Sequence, residues 1–459
     1  MCVQNKTDCI LFPELFAKPI HAHFDQDLAS SDGGALLLKA ADRRIGLTSA
    51  MGNCLWDRRQ TSKVKHGLPE LLAQRIFSIA CGYPDTNDAA RLGHDPIHKM
   101  LIERDPVKGL PLASQPTLSR FENAVTRSDL LSLGEVLADK VIARHRRRLN
   151  RKARRIILDL DVSHDPTHGQ QQLSFFHGHY DTRCYLPLFA FMSFNKESEQ
   201  YLCAAVLRPG NAPDKRGVIT LLRRLLPRIR EAFPKARILI RLDGGFRAPE
   251  ILDFLDQQPG LDYIVGYAKN AVLEKQVFGA LCQSWEHWRQ GDPSWKVYGE
   301  CPYKATSWSR ARRVIFKTEI LDHPGRDLKD NLRFMVTNLK QAPRWLYEKV
   351  YCARGDVENR IKELKVDLQI DRSSCTSFLA NQLRVLMSAA AYVLMQELRC
   401  HLARNRAGSL QVGTLREHFL KIGVRLVVSM RRVVFHMPKS YPFKILWSRL
   451  AMNLGAVRE

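Results

Sequence analysis

The spacing of hydrophobic and polar residues divides the chain into a helical first part and an α/β middle. Up to about residue 150, apolar side chains recur every three to four positions, as in Gly34–Asp42 and Leu71–Ala80, which predicts amphipathic helices. In Ile156–Ser163 the period becomes two, with apolar residues on one face and Asp159 and Asp161 on the other. This change of period predicts that a sheet begins near residue 152.

Strands and helices alternate further along the chain. Strands are predicted at Tyr185–Phe194, Tyr201–Leu207 and Arg237–Asp243, with the amphipathic helix Gly217–Phe233 before the last of them. This alternation favours an α/β core. We therefore predict a helical region at 1–150, the first part of the core at 151–274, a β-rich insertion at 275–341, the helical remainder of the core at 342–406, and a basic C-terminal region at 407–459 with a strand at Val424–His436.

The charge balance indicates an anionic partner. Lysine and arginine number 71 against 47 acids, a net charge of +24, while 45% hydrophobic residues are typical of a folded protein. A folded protein this basic favours a polyanion, first of all nucleic acid, although simple solubility is the alternative. Eight of the twelve residues in Arg144–Arg155 are basic, which is compatible with phosphate contact or with a solvated helix end.

Several classes of protein are disfavoured. Eleven cysteines without a C-x-x-C pair argue against a disulfide framework or a structural zinc site. The N-terminus lacks a signal-peptide pattern, and the longest apolar runs, of about ten residues, are too short to span a bilayer. No G-x-x-x-x-G-K-[ST] loop occurs, so the commonest phosphate-binding loop of ATPases is absent. We expect a cytoplasmic protein without a membrane segment.

Carboxylates at predicted strand ends are the first candidate site residues. Asp159 and Asp161 share one face of a strand, and Asp243 ends another strand before Gly244 and Gly245, which allow a sharp turn. A buried carboxylate is unfavourable unless it is paired, hydrogen-bonded or bound to a metal. Each acid alone more often caps a loop or forms a salt bridge, and strand geometry does not separate Asp159 from Asp161.

A mixed polar face of a predicted helix is more specific. At ~100° per residue, Tyr351, Arg354, Glu358 and Lys365 fall on one side of an α-helix. An acid, two cations and a phenol do not form an apolar packing stripe. The face indicates either surface ion pairs or a metal-binding glutamate flanked by phosphate-binding cations.

Seven segments together carry a resemblance to a known family: Leu28–Gly34, Ala73–Phe77, Gln115–Glu122, Leu158–Asp161, Pro166–Gln170, Arg241–Phe246 and Tyr351–Lys365. The sequence resembles DDE-type insertion-sequence transposases, within the insertion-sequence family numbered thirteen-eighty and its Y-R-E-K branch. The resemblance covers roughly residues 24 to 400. Ser163 and Gly244 depart from the family, which commonly has threonine and serine there.

The resemblance implies an α/β fold with an RNase H-like catalytic core, a β-rich insertion and a helical DNA-binding region in front. It implies that Asp161, Asp243 and Glu358 hold two divalent cations, Mg²⁺ or Mn²⁺. Asp161 is preferred to Asp159 because the family's first acid lies two positions before a small hydroxyl residue. The implied reaction cleaves the ends of the insertion sequence, joins their 3′-hydroxyls to target DNA and needs no nucleotide cofactor.

The resemblance also implies the DNA contacts. Tyr351, Arg354 and Lys365 would bind phosphates of the transposon end, and Trp308 or Trp295 would stack on a flipped base unless these indoles pack in a core. The expected partners are the terminal repeats, target DNA and a second copy of the chain, in the bacterial cytoplasm at the nucleoid.

Three alternatives stay open, and one metal-binding hypothesis is weak. The chain would be a catalytically silent transposase-derived DNA-binding protein, an RNase H-fold nuclease, or a tyrosine recombinase using His401–Arg404 and Tyr441. Four histidines in a turn-rich stretch lack zinc-ligand spacing: His164, His168, His177 and His179.

Overall fold

The computed structural model describes residues 9–292, 294–325, 327–403 and 410–458. The predicted boundary at residue 406 and the position of Arg404 lie outside the described residues.

The N-terminal part consists mainly of helices. Its elements are β1 Ile10–Phe12, β2 Ile20–Ala22, β3 Ala29–Ser30, α1 Leu36–Ile45, α2 Leu47–Gly52, α3 Leu68–Ala80, α4 Ala89–Leu92, α5 Pro96–Leu101, α6 Gln115–Asn123 and α7 Arg127–Arg148. Local sequence explains where the helices begin. Pro116 occupies the first turn of α6, and Thr126 and Asp129 form a capping box at the start of α7.

The middle of the chain forms a large mixed sheet. Its strands and helices are β4 Arg155–Val162, β5 Asp165–Pro166, β6 Phe175–His177, β7 Thr182–Tyr185, β8 Leu188–Phe194, β9 Tyr201–Val206, α8 Val218–Ala232, β10 Arg237–Leu242, α9 Pro249–Asp256, β11 Leu261–Tyr267, α10 Ala271–Gln276, α11 Phe278–Arg289, β12 Val297–Tyr303, β13 Arg312–Leu321 and β14 Lys329–Thr337. The main sheet has eight strands in the order β12-β13-β14-β11-β10-β4-β8-β9, and β5, β7 and β6 form a small separate sheet.

Strand direction sets the position of the candidate acids. β10 is parallel to both β4 and β11, while the other neighbouring pairs in the main sheet are antiparallel. Arg241 of β10 stands opposite Asp159 of β4. Because parallel neighbours end at the same edge, Asp161 and Asp243 leave the sheet side by side.

Two of the strands predicted from the sequence are corrected. The strand predicted at Tyr185–Phe194 is interrupted at Leu186–Pro187, because proline has no N–H for the ladder. The strand predicted at Val424–His436 is a hairpin of two strands. The strands within the predicted β-rich insertion lie in the main sheet, where β14 pairs with β11.

The C-terminal part packs one long helix against most of the protein. Its elements are α12 Pro343–Trp345, α13 Asp356–Leu368, α14 Phe378–Ala403, α15 Val412–Leu415, β15 Val424–Val428, β16 Val433–His436 and α16 Lys444–Asn453. The stretch Phe378–Leu402 is long and apolar enough to cross a bilayer, but 89% of its most apolar window is buried in the protein. α14 contacts α1, α3, α6, α7 and β9. One hydrophobic cluster therefore runs from Ala35 to Leu454.

The C-terminal tail also packs against the N-terminal part of the chain. β15 pairs with β3, and the buried Asp32 accepts hydrogen bonds from Lys421 Nζ at 2.7 Å and pairs with His98 Nε2 at 2.9 Å. Burial opposes ionisation of Asp32, but His98 and Lys421 together lower its pKa. A Cβ atom on Gly34 would lie 1.8 Å from the Phe419 carbonyl oxygen, so this segment requires glycine.

Candidate active site

Two aspartates meet at the ends of β4 and β10. Asp161 Oδ1 accepts a hydrogen bond from the Val162 N–H at 2.9 Å, and Asp243 Oδ1 accepts one from the Gly245 N–H at 2.9 Å. Both carboxylates face the guanidinium of Arg354, whose Nη2 lies 2.9 Å from Asp161 Oδ1 and 3.5 Å from Asp243 Oδ2. The structure thus brings together the two acids that the sequence separates by one helix and several strands.

The two carboxylates have different environments. The Asp161 side chain is 11% exposed and that of Asp243 is 38% exposed. The pKa of Asp161 is raised to about 6, because burial and the nearby Asp243 together raise it more than Arg354 lowers it. The positive charge of Arg354 therefore does not fully offset the cost of burying the ionised Asp161 carboxylate, which favours binding of additional positive charge here.

Asp159 forms a different interaction. It is fully buried, and Arg241 donates to its two oxygens from Nε at 2.6 Å and from Nη2 at 2.7 Å. Gln200 Nε2 adds a third hydrogen bond at 3.0 Å, and Arg241 Nη1 donates to the Val350 carbonyl at 2.9 Å. Both oxygens of Asp159 are thus engaged inside the protein, so Asp161 is the acid of β4 that reaches the groove.

Glu358 lies in the first turn of α13 and is exposed. It lines a groove of about 360 Å³ together with Asp161, Ser163, Lys362 and Lys365. Among the described residues, the carboxylates of Asp161, Asp243 and Glu358 do not all lie within 4.8 Å of one another. The three acids therefore lie in one region of the protein. Binding the same metal ions would require the three carboxylates to move closer to one another.

The segment before α13 is not the regular α-helix that the sequence predicts. Leu346–Tyr351 is a π-helical turn and Cys352–Gly355 is a 3₁₀ turn. Side chains in such turns rotate by angles other than ~100° per residue, so the calculated face does not apply there. As a result of these irregular turns, Arg354 lies against the strand ends while Glu358 faces the groove.

Arg354 does not face solvent as a phosphate-binding residue would. Its residue surface is 8% exposed, Nη2 also donates to the Leu160 carbonyl at 3.2 Å, and Nε is buried with no hydrogen-bond partner among the described residues. Burial opposes its charge, but Asp161 and Asp243 raise its pKa. The guanidinium thus occupies the position of a cation between the two carboxylates.

Tyr351 and Lys365 are the other two residues of the predicted Y-R-E-K face that were expected to contact DNA. A Cβ atom on Gly266 would lie 2.5 Å from the Tyr351 hydroxyl and 2.8 Å from the Gly244 nitrogen, so β11 needs glycine beside the site. Lys365 Nζ donates to the His164 carbonyl at 2.8 Å at the edge of the groove. Both predicted DNA-contacting side chains are therefore near the acids, and both have protein neighbours.

Sequence reasoning missed one acid next to Asp243. A Cβ atom on Gly245 would lie 2.3 Å from Asp214 Oδ2 and 3.1 Å from Asp243 Oδ1. Because Gly245 has no side chain, there is room beside Asp243 for a fourth carboxylate, that of Asp214 in the loop after β9. Burial raises the pKa of nearby Tyr180, and the charges of Asp214, Asp161 and Asp243 raise it further. The only sequence signal was the glycine itself.

The predicted base-stacking role of Trp308 has no support in its position. Its surface is 3% exposed, and its ring packs edge-on against Tyr267 at 5.2 Å and Tyr303 at 5.3 Å between centroids. Trp295 is 44% exposed and stacks on His287 at 4.0 Å. Trp308 is therefore a core residue in this structure, and Trp295 is the accessible indole of the two.

The two residues of the recombinase alternative that the structure describes, His401 and Tyr441, do not form a site together. His401 is fully buried and pairs with Glu397 at 3.0 Å, and the Tyr441 hydroxyl donates to the His418 carbonyl. The four histidines of the weak zinc hypothesis are absent from the groups of converging metal-ligand atoms found among the described residues.

The fold and site define an α/β protein with carboxylates gathered at the C-terminal edge of parallel strands. The sequence matches the family model for transposase DDE domain group 1 over residues 12–459, so the chain belongs to the DDE transposase family. Members of this family are DNA-binding transposases that act with divalent metal ions.

One solved structure similar to this chain is a cryo-EM structure of the piggyBac transposase synaptic complex with hairpin DNA. The match has 10% sequence identity and a TM-score of 0.44, and it covers 93% of this chain and 82% of that one. No curated protein sequence matches the chain.

Proposed function

We propose that this protein cleaves the ends of its insertion sequence and joins the 3′-hydroxyl ends to target DNA. The observation that carries the proposal is the meeting of Asp161 and Asp243 at adjacent strand ends, beside a groove lined by Glu358. Three antiparallel strands followed by two parallel ones, in the order β9-β8-β4-β10-β11, support an RNase H-like core. The Y-R-E-K segment supports membership of the insertion-sequence family numbered thirteen-eighty.

Asp161, Asp243 and Glu358 are the proposed ligands of two Mg²⁺ or Mn²⁺ ions. The residues fit these ions because carboxylate oxygens are their preferred ligands and because the Arg354 guanidinium shows that a cation is stabilised between the aspartates. Bound divalent ions would activate the attacking oxygen and stabilise the leaving oxygen. The backbone N–H groups of Val162 and Gly245 hold the aspartates in place for this role.

The proposed DNA contacts involve cationic residues of the groove beside the acids. Lys365, which lines the groove, and Tyr351 are the proposed phosphate-binding residues for the transposon end, and Lys362 adds a cation to the groove. Arg354, the third residue expected from the sequence, lies between the aspartates in this structure. The charge of +24 supports binding of terminal repeats and target DNA. We infer a homodimer on paired ends, acting in the bacterial cytoplasm.

The test is a cleavage and joining assay on DNA that carries the element's own ends, with a target plasmid and Mg²⁺ or Mn²⁺. Glu358→Gln is compared with wild type and with Asp356→Asn, an exposed acid two residues away that does not line the groove. We expect the Glu358 variant to bind DNA without cutting it, and the Asp356 variant to cut like wild type. Asp161→Asn and Asp243→Asn should also abolish cutting.

The other outcomes identify the alternatives. Cutting without joining would support an RNase H-fold nuclease, and binding without cutting by wild type would support a catalytically silent DNA-binding protein. Cutting that survives Glu358→Gln would remove this residue from the site.

A further inference from the structure

The N-terminal hairpin brings together three side chains of metal-binding type that are not part of the carboxylate site. β1 and β2 pair with Ile10 opposite Ala22 and Leu11 opposite His21. Continuing this register places Cys9 opposite His23, and His21 shares a face with His23 because side chains two apart point the same way. The Cys9 thiol and the two imidazoles are exposed, and their ligand atoms all lie within 4.8 Å of one another.

The distances suit a four-coordinate metal ion. Cys9 Sγ lies 3.3 Å from His21 Nδ1. A tetrahedral zinc ion with Zn–S of about 2.3 Å and Zn–N of about 2.0–2.1 Å separates these ligand atoms by roughly 3.6 Å. The first two ligands are thus close to the required separation, and the third ligand atom, from His23, lies within 4.8 Å of both.

We propose that Cys9, His21 and His23 bind a thiophilic transition-metal ion, with Zn²⁺ as the expected ion and water in the fourth position. A thiolate and imidazoles select such ions over Mg²⁺ or Mn²⁺, which prefer oxygen ligands. This site is therefore chemically distinct from the carboxylate site and independent of the proposed function.

Metal binding would stabilise a weak element. A two-stranded hairpin is marginally stable in water, and β1 exposes its apolar residues, including Leu11 at 50% and Phe12 at 43%. Because the ligands come from both strands, the binding free energy of the ion adds to the stability of the paired hairpin. No sequence motif indicates this site, because the ligands follow no C-x-x-C spacing and only the hairpin register brings them together.

A second group of ligand-type residues does not fit a metal. Asp32, Cys81 and His98 also have ligand atoms within 4.8 Å, but all three are buried. Lys421 Nζ already supplies a cation 2.7 Å from Asp32 Oδ1, and burial raises the pKa of the Cys81 thiol strongly, which opposes the thiolate form. This cluster is a buried ion-pair network.

The test uses Co²⁺ as a spectroscopic probe in place of Zn²⁺, on the full-length chain, freed of metal and carrying no histidine tag. We expect one sulfur-ligated Co²⁺ per chain, seen as a thiolate-to-cobalt charge-transfer band that Zn²⁺ abolishes and excess Mg²⁺ leaves unchanged. Cys9→Ser should abolish the band, whereas Cys282→Ser, at another exposed free cysteine, should keep it.

The histidines are tested separately. His21→Ala and His23→Ala should each weaken Co²⁺ binding by at least about tenfold, since each removes a ligand. Absence of a sulfur-ligated band in wild type, its survival in Cys9→Ser, or unchanged affinity in both histidine variants would overturn the proposal. Far-ultraviolet circular dichroism checks that each variant is folded, which is expected because the hairpin lies outside the hydrophobic core.

Discussion

Asp159 and Asp161 are two residues apart on one strand, and neutralising them should change stability in opposite directions. Asp159→Asn leaves the buried Arg241 guanidinium without its charge partner in a region where its side chain is 5% exposed. Removing one partner of a buried ion pair costs about 3–5 kcal/mol. We therefore expect Asp159→Asn to lower the free energy of unfolding by that amount.

Asp161→Asn removes a carboxylate whose ionisation is disfavoured in the folded protein. A rise in the pKa of Asp161 from 3.8 to about 6 corresponds to about 3 kcal/mol at pH 7 in the metal-free protein. Because the folded protein binds the proton more tightly, wild-type stability from this group falls as pH rises from about 4 to about 6. The Asp161→Asn variant should lack this fall and be at least as stable as wild type at pH 7.

The assay is urea unfolding followed by circular dichroism in EDTA, at pH 7 and across pH 4 to 7. The matched control is Asp262→Asn, because Asp262 pairs with Arg237 across neighbouring strands at the surface, where the arginine is 77% exposed. We expect this control to change stability by less than about 1 kcal/mol. Equal stability of Asp159→Asn and the control, or strong destabilisation by Asp161→Asn at pH 7, would refute the reasoning.

Two further pairs of variants test the site and the aromatic cluster. Gly245→Ala should push the Asp214 carboxylate away from Asp243 and weaken Mn²⁺ binding, measured by calorimetry. Gly244→Ala should bind Mn²⁺ like wild type, because its Cβ would meet only ordinary contacts at 3.9 Å. Equal Mn²⁺ binding by the two variants would count against a role for Asp214 in metal binding. Trp308→Ala should lower stability by about 3–5 kcal/mol as a buried aromatic. An equivalent change at the exposed Trp295 should cost less than about 0.5 kcal/mol in the same urea assay, and the reverse ranking would contradict the buried placement of Trp308.

Local sequence patterns predicted the elements better than their connections. The alternation in Ile156–Ser163 found β4, and the apolar spacing in Leu71–Ala80 found most of α3, because one buried face determines each pattern. No local pattern shows that β14 pairs with β11, since a strand at a sheet edge and a strand in a separate domain share the same periodicity. The sequence therefore predicts β-rich segments at 275–341 without showing which strands they pair with.

The same limit applies to the site. Motifs identified Asp161 and Asp243, but the partner of Asp159 was invisible because Arg241 lies 82 residues away and meets it only through strand pairing. The buried position of Arg354 depends on a π-helical and a 3₁₀ turn that no residue pattern specifies. Side-chain roles set by long-range neighbours therefore required the structure.

The contact between Asp32 and Lys421 also has a consequence for the time at which the fold is completed. These residues are 389 positions apart, so a ribosome that adds ~5–20 residues per second separates their synthesis by roughly 20–80 s. During this interval Asp32 lacks its lysine and β3 lacks β15. The N-terminal helices therefore reach their final packing only after the tail has been synthesised, and a nascent chain stalled before residue 421 should remain sensitive to protease in the Leu28–Gly34 segment.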